Sequence, residues 1–147
     1  MRKNTSLQTI GTLLKPANVI LMIFLSIFSL GVYIGVWFLN RKCDIEKMDD
    51  RKTVPFMWWK LCTAVLIVFL ILNIIKNFIF TEYGFLYIES FDTIFTFFMV
   101  GLVNYSAFRI AESIEDKTEI EFNRVLLFLF TIFYIQFKTN RMKPIMQ

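Results

Sequence analysis

Four apolar runs, separated by polar segments, make up most of the chain. The two central runs, 56–80 and 91–110, are each long enough for an α-helix to cross a hydrocarbon layer of about 30 Å, since a helix rises about 1.5 Å per residue. Both runs predict transmembrane helices. The first run, 17–40, and the last run, 125–141, have less regular patterns.

The first run carries no charge, but two serines and two glycines interrupt it between Ser26 and Gly35. Glycine and serine pairs are common sites of helix kinks, so a bend is predicted there. Tyr33 and Trp37 follow at helical spacing, and aromatic side chains in such places are typical of a membrane interface. The run is therefore predicted to dip into a bilayer and turn back, with full crossing as the alternative.

The last run has an apolar part of only 13 residues, 125–137, a length typical of re-entrant or interfacial segments. Thr131, Tyr134, Lys138 and Arg141 fall near one face of a helix over this run. The pattern predicts a helix that enters a bilayer obliquely and returns to the surface at its C-terminal end.

Aromatic and basic residues mark the expected membrane interfaces. Trp58 and Trp59 stand at the start of the first central span as anchors, and Lys60 is close enough to the surface to snorkel. Tyr33, Trp37 and Tyr134 are the equivalent anchors of the flanking runs. The connecting segments are predicted to be an N-terminal surface segment, a charged cytoplasmic loop, an outer loop and an acidic cytoplasmic linker, at 1–16, 41–55, 81–90 and 111–124.

The distribution of Lys and Arg decides between topologies. If all four runs crossed, the 16 basic residues would divide nine to seven; if only the central runs cross, they divide fifteen to one. Three spans would give twelve to four. The positive-inside rule favours the strongest bias, which places both termini and both charged segments in the cytoplasm.

The sequence thus predicts an all-α integral membrane protein of the bacterial inner membrane. It has two central transmembrane helices flanked by two half-inserted or re-entrant helical elements, with three or four transmembrane helices as the alternative. The flanking elements also match one another at an offset of one hundred residues. This is compatible with an internal repeat or with chance, and the matches set Phe28, Trp37, Asn40 and Arg41 opposite Phe128, Phe137, Asn140 and Arg141.

Two asparagines stand inside the central spans. Asparagine in lipid usually forms a hydrogen bond to a neighbouring helix or subunit, which makes Asn73 and Asn104 candidate functional residues. Asn73 lies near the outer end of its span and Asn104 in the inner half of the other. They are not expected to meet within one antiparallel pair, so each is predicted to contact another subunit.

The composition argues against a catalytic or metal-binding function. The chain is 56% hydrophobic and has no histidine, which removes the commonest general base and metal ligand. Cys43 and Cys62 form neither a disulfide framework nor a zinc site. No catalytic residue, metal or cofactor is predicted. The net charge is +4, and the basic residues lie in short clusters beside the apolar runs. This pattern favours anionic lipid over nucleic acid as a binding partner.

Three functions are compared on this basis. The leading hypothesis is a non-enzymatic membrane component that forms homo-oligomers or recruits a partner membrane protein through segments 41–52 and 110–124. The alternative is a pore-forming, transport-subunit, effector or immunity-type protein in which Asn73 and Asn104 line a path. A lipid-modifying enzyme would need catalytic carboxylates at Glu82, Glu89 or Asp92.

Two motifs in the flanking runs resemble those of a known family. The first is Ser29-Leu30-Gly31-Val32-Tyr33-Ile34-Gly35-Val36-Trp37-Phe38, followed by a charged segment with Arg41 and Asp44; the second is Tyr134-Ile135-Gln136-Phe137-Lys138-Thr139-Asn140-Arg141. They are similar to a small bacterial inner-membrane family of unknown function with a Phe-Gly-Ile-Tyr-x-x-x-Trp-type motif, although Leu30 replaces the aromatic residue. The resemblance implies a membrane location and no known reaction.

Overall fold

The computed structural model describes residue 14 and residues 16–48, 54–79, 82–118 and 120–141. Regular structure in these residues is helical throughout, which confirms the predicted all-α class. Most of the predicted N-terminal surface segment, 1–16, lies outside the described residues. The helices are α1 Val19–Phe28, α2 Val32–Asn40, α3 Lys42–Met48, α4 Phe56–Ile79, α5 Glu82–Lys117 and α6 Arg124–Arg141.

Helices α4 and α5 are the longest, with rises of about 36 Å and 54 Å. The stretches Phe56–Ile75 and Leu86–Lys117 have mean hydropathies of 2.2 and 1.5, so both are long and apolar enough to span a membrane. Among the described residues, these are the two helices long enough to span a membrane. The expectation of two central spanning helices is met at the level of length and composition.

The two long helices run antiparallel. The Phe69 ring lies 5.8 Å from the Phe91 ring, while nearer the start of α4 the Trp59 indole N–H donates to Ser106 Oγ at 3.0 Å. The start of α4 therefore lies beside the later part of α5. Helix α3 packs there too, where Lys117 Nζ donates to the carbonyl of Lys47 at 3.3 Å. We call the end of the molecule where α4 begins the charged end. The opposite end, where α4 stops and α5 begins, is called the far end.

The predicted outer loop at 81–90 is wrong from residue 82 onward, since α5 already begins at Glu82. Polar residues in this stretch bond within the helix: Ser90 Oγ donates to the carbonyl of Leu86, and Thr93 Oγ1 to that of Glu89, each at 2.8 Å. Such bonds to the preceding turn let serine and threonine remain in a helix instead of competing with it. At its other end α5 continues into the predicted acidic linker as far as Lys117.

The first apolar run breaks at Leu30 and Gly31, whose φ angles are 48° and 88°. This confirms the predicted bend, and the left-handed conformation suits glycine because it has no Cβ. Around the break, every backbone N–H of residues 29–34 still donates a hydrogen bond, including that of Tyr33 to Ser29 Oγ at 2.9 Å and that of Gly31 to the carbonyl of Ser26 at 2.9 Å. Asn18 caps α1 by accepting from the two N–H groups of the first turn.

Helix α2 returns along α4. The Phe38 ring stacks on the Trp59 ring with centroids 3.9 Å apart, and one turn earlier Gly35 lies against Thr63. At the break itself, the chain reaches the level of Leu66. We call α1 and α2 the first hairpin, with Leu30 and Gly31 as its apex.

Helix α6 is also broken, at Thr131, with φ 43° and ψ −119°. A continuous helix would separate residues 123 and 134 by about 16 Å. Here the Asn123 N–H donates to the Tyr134 hydroxyl at 3.5 Å, and Lys138 Nζ donates to the carbonyl of Glu121. The last run therefore turns back on itself, and we call α6 the second hairpin, with Thr131 as its apex.

Replacing Gly35 with alanine is expected to lower the free energy of unfolding by about 1–3 kcal/mol. An added Cβ would lie 2.2 Å from Thr63 Oγ1 and 3.1 Å from Thr63 Cβ, and a β-branched side chain cannot swing aside. Gly101→Ala is the matched control, because nothing lies within 4 Å of a Cβ at that position. Denaturant unfolding in detergent micelles, followed by tryptophan fluorescence, measures both. Equal stability of the two variants would contradict the close approach of α2 to α4.

Candidate functional site

The apices of the two hairpins meet beside α5. Together with Leu66 and with residues 95–104 they line a cavity of about 340 Å³. Its wall is mostly apolar, and the polar side chains on it are Thr96, Asn104 and Thr131. None of the three is ionisable in the physiological range, so the cavity offers hydrogen bonding and apolar contact but no acid–base chemistry.

Asn104 is the predicted site residue that the structure places in this cavity. Its Nδ2 donates to the carbonyl of Val100 at 2.9 Å, and its Oδ1 is buried without a hydrogen-bond partner in the described part of the chain. Asn73 lies elsewhere on α4, where its Nδ2 donates to the carbonyl of Phe69 at 3.2 Å. The two asparagines do not meet, as the sequence predicted; contact with another subunit stays a prediction.

At the charged end, six basic side chains lie over aromatic rings, with the cation 4.3 to 6.0 Å from the ring centroid. Such stacking holds a cation against the face of the ring. The pairs are Arg41 over Trp37, Lys42 over Phe56, Arg109 over Tyr105, Arg124 over Phe108, Lys138 over Phe122 and Tyr134, and Arg141 over Phe137.

Two of these pairs occupy equivalent places one hundred residues apart. The Arg41 guanidinium lies 4.8 Å from the Trp37 ring, and that of Arg141 lies 4.3 Å from the Phe137 ring. The backbone breaks at residues 31 and 131 share the same offset. Burial lowers the pKa of the Arg41 guanidinium, while Tyr33 and Asp44 oppose the shift, and it remains charged. The match at this offset therefore extends from residue types to backbone geometry.

The predicted interfacial anchors differ in exposure. Trp58 is 53% exposed and Lys60 is exposed, while Tyr33 and Tyr134 are half-buried, and for these four the anchor role stays a prediction. For Trp37 and Trp59 the anchor prediction is corrected, because both are buried. Trp59 links three helices by stacking on Phe38 of α2 and bonding Ser106 of α5, so its size and its N–H serve the protein interior.

Sequence reasoning missed the residue that joins the two hairpins. The Asn140 side chain donates from Nδ2 to the carbonyl of Ala17 at 2.6 Å and accepts at Oδ1 from the Ala17 N–H at 3.4 Å. Gln136 also donates to Oδ1, at 2.8 Å, and so orients the amide. The start of the first hairpin is thereby tied to the end of the second, and both lie at the charged end. The spacing of residues in the sequence does not reveal this contact, which is seen only from the position of the Asn140 amide in the fold.

The described residues contain no group of three His, Cys, Asp or Glu side chains that could hold a metal. Glu89 and Asp92, considered above as catalytic carboxylates, are exposed on α5. Cys43 is exposed and Cys62 is buried, and both are free thiols. Comparison with family models, with curated proteins and with solved structures finds no match to this chain. The resemblance to an inner-membrane family stays a prediction.

Asn140→Ala is expected to lower the free energy of unfolding by about 1–3 kcal/mol, because it leaves two backbone groups of Ala17 without partners. The matched control is Asn40→Ala, one hundred residues earlier, where the side chain is exposed. Hydrogen exchange of the amide of residue 17 reports the contact directly. We expect faster exchange in the first variant only; unchanged exchange there would show that the two hairpins are not joined by this side chain.

Proposed function

We propose that this protein is a non-enzymatic integral membrane protein that inserts two half-depth hairpins beside two full spans. The observation that carries the proposal is the placement of both hairpin bases and nearly all cations at the charged end. Of the ten basic residues in the described ranges, nine lie at that end and Lys76 alone lies toward the far end. The nine are Arg41, Lys42, Lys47, Lys60, Arg109, Lys117, Arg124, Lys138 and Arg141.

The exposed apolar surface supports a lipid environment. Only 22% of the most apolar stretch of α4 and 11% of that of α5 is buried, whereas the core helix of a soluble protein is mostly buried. Phe28 at the first apex is 80% exposed, and Phe128 near the second is 60% exposed. Water penalises such surfaces at about 25 cal/mol per Å² of apolar area, and hydrocarbon does not.

Orientation follows from the cations. Positive residues are retained in the cytoplasm during insertion, so the charged end faces the cytoplasm of a bacterial-type inner membrane. In this arrangement the chain is multi-pass, the hairpins enter from the cytoplasmic leaflet, and the stacked Arg and Lys side chains lie at the level of the lipid headgroups. Anionic lipids are then the natural partners of these cations.

A scaffold role rests on the surface that α3 forms with the end of α5. Ile45 and Ile114 are buried beneath it, and Lys117 Nζ bonds the carbonyl of Lys47. The two charged segments singled out in the sequence thus form one surface in the described residues. Mixed-sign charged side chains such as Lys42 and Glu46, which pair at 3.5 Å, favour a protein partner or a second copy of the chain.

Cysteine accessibility tests the insertion. In a background of Cys43→Ser and Cys62→Ala, single cysteines at Lys47 and Lys117 should react with a membrane-impermeant maleimide from the cytoplasmic side only. A cysteine at Tyr87, toward the far end, should react only from the outside.

Cysteines at Phe28 and Phe128 decide between half-insertion and crossing. Both apices should be protected from either side, because hydrocarbon surrounds them and the thiolate that reacts forms only in water. Labelling of either position from the outside would contradict half-insertion, and labelling of Tyr87 from the cytoplasm would contradict the two spans.

A pore is the second candidate, favoured by the unpartnered Oδ1 of Asn104. Its surroundings oppose it, since the cavity beside Asn104 is lined mainly by apolar side chains. We expect purified protein in sealed vesicles to cause no release of a trapped fluorescent ion indicator. If the indicator is released, and if this release is lost in Asn104→Leu but kept in Gly101→Ala, the pore hypothesis would replace the scaffold hypothesis.

A further inference from the structure

We infer that the protein expands the leaflet into which its hairpins insert, and so binds preferentially to membranes that are convex on the side of the charged end. The inference rests on the proposed membrane insertion and adds an activity to it. It follows from how the helices are distributed along the depth of the molecule.

The depth of the hairpins is set by their contacts with the long helices. Near its C-terminal end, α2 stacks on Trp59, and its apex reaches Leu66, ten residues into α4 and about 15 Å from its start. The second apex faces the same part of α5, residues 95–104. Both hairpins therefore end near the middle of a hydrocarbon layer of about 30 Å.

Beyond the apices the molecule is thin. Toward the charged end six helical segments lie side by side: α4, α5, α1, α2 and the two arms of α6. Toward the far end the described residues contain only α4 and α5. At a helix diameter of about 10 Å, four additional segments occupy roughly 300 Å² more in one leaflet than in the other.

The hairpins face lipid instead of lying on its surface. Their outward residues are apolar over 19–28 in the first hairpin and over 125–130 in the second, with Ile20 66%, Phe24 56% and Leu129 64% exposed. These arms displace acyl chains, whereas an amphipathic helix in the headgroup plane would present charge on its outer face. The displaced area lies in one leaflet only.

The shape is also held against collapse. The first hairpin is fixed to α4 where Gly35 meets Thr63, and the second returns on itself where Tyr134 meets Asn123. Asn140 then ties the two hairpins together at their bases. A wedge acts on lipid only if its own deformation costs more than that of the bilayer, and close packing of this kind supplies the stiffness.

The experiment is cell-free synthesis of the full chain in the presence of preformed vesicles of phosphatidylethanolamine and phosphatidylglycerol. Small sonicated and large extruded vesicles of one composition are present together and are separated afterwards. Insertion from the outside places the hairpins in the outer leaflet, which is the more convex in small vesicles. We expect carbonate-resistant protein per lipid to be roughly threefold or more higher in the small vesicles.

The variant Leu30→Ala with Gly31→Ala removes the residues that break the first run, and alanine favours a continuous helix long enough to cross. It should lose most of the preference, while Gly101→Ala should retain it. A preference that survives straightening would overturn the role of the hairpin. Should the variant fail to insert, the wild-type ratio still decides, because equal density in both vesicle sizes contradicts the inference.

The two proposals fail in different ways. Absence of carbonate-resistant protein from vesicles of either size would remove the proposed membrane insertion. Insertion at equal density in small and large vesicles would leave the insertion intact and remove only the preference for convex surfaces.

Discussion

A helix in apolar surroundings can be broken only where its backbone N–H groups find other acceptors. The structure depends on two breaks, and the first of them meets this condition. At the first, Ser29 supplies both its carbonyl and its hydroxyl, so that the chain reverses with every N–H of residues 29–34 bonded. At the second, Thr131 takes a φ of 43° that β-branched residues rarely adopt. Each break folds an apolar run back on itself, so that the run extends about half as far along the long helices as a continuous helix would.

Tertiary contacts then hold the returning arms. The indole of Trp59 joins the helices at the charged end, because it stacks on Phe38 of the first hairpin and donates a hydrogen bond to Ser106 of α5. Asn140 joins the bases of the two hairpins by two hydrogen bonds to the backbone of Ala17. A side-chain amide is suited to this role, since it offers one donor group and one acceptor to a peptide unit.

Apolar surface and charge are unevenly distributed over the described residues. The cavity beside Asn104 is apolar apart from an amide and two hydroxyls, and six basic side chains among the described residues lie over aromatic rings at the charged end. In the proposed membrane setting, one leaflet accommodates six helical segments and a layer of cations, and the other accommodates two helices. The proposed action on lipid and on neighbouring proteins would then use the cross-section and the surface of the molecule.

The sequence alone determined the elements: the helical class, the two long apolar helices and the bend in the first run, because hydrophobic length and Ser/Gly punctuation are local signals. It also set the offset that pairs Trp37 and Arg41 with Phe137 and Arg141. The fold decided the rest. That Trp59 lies inside and that Asn140 bonds Ala17 depend on partners 47 and 123 residues away along the chain, and no local pattern encodes such distant neighbours.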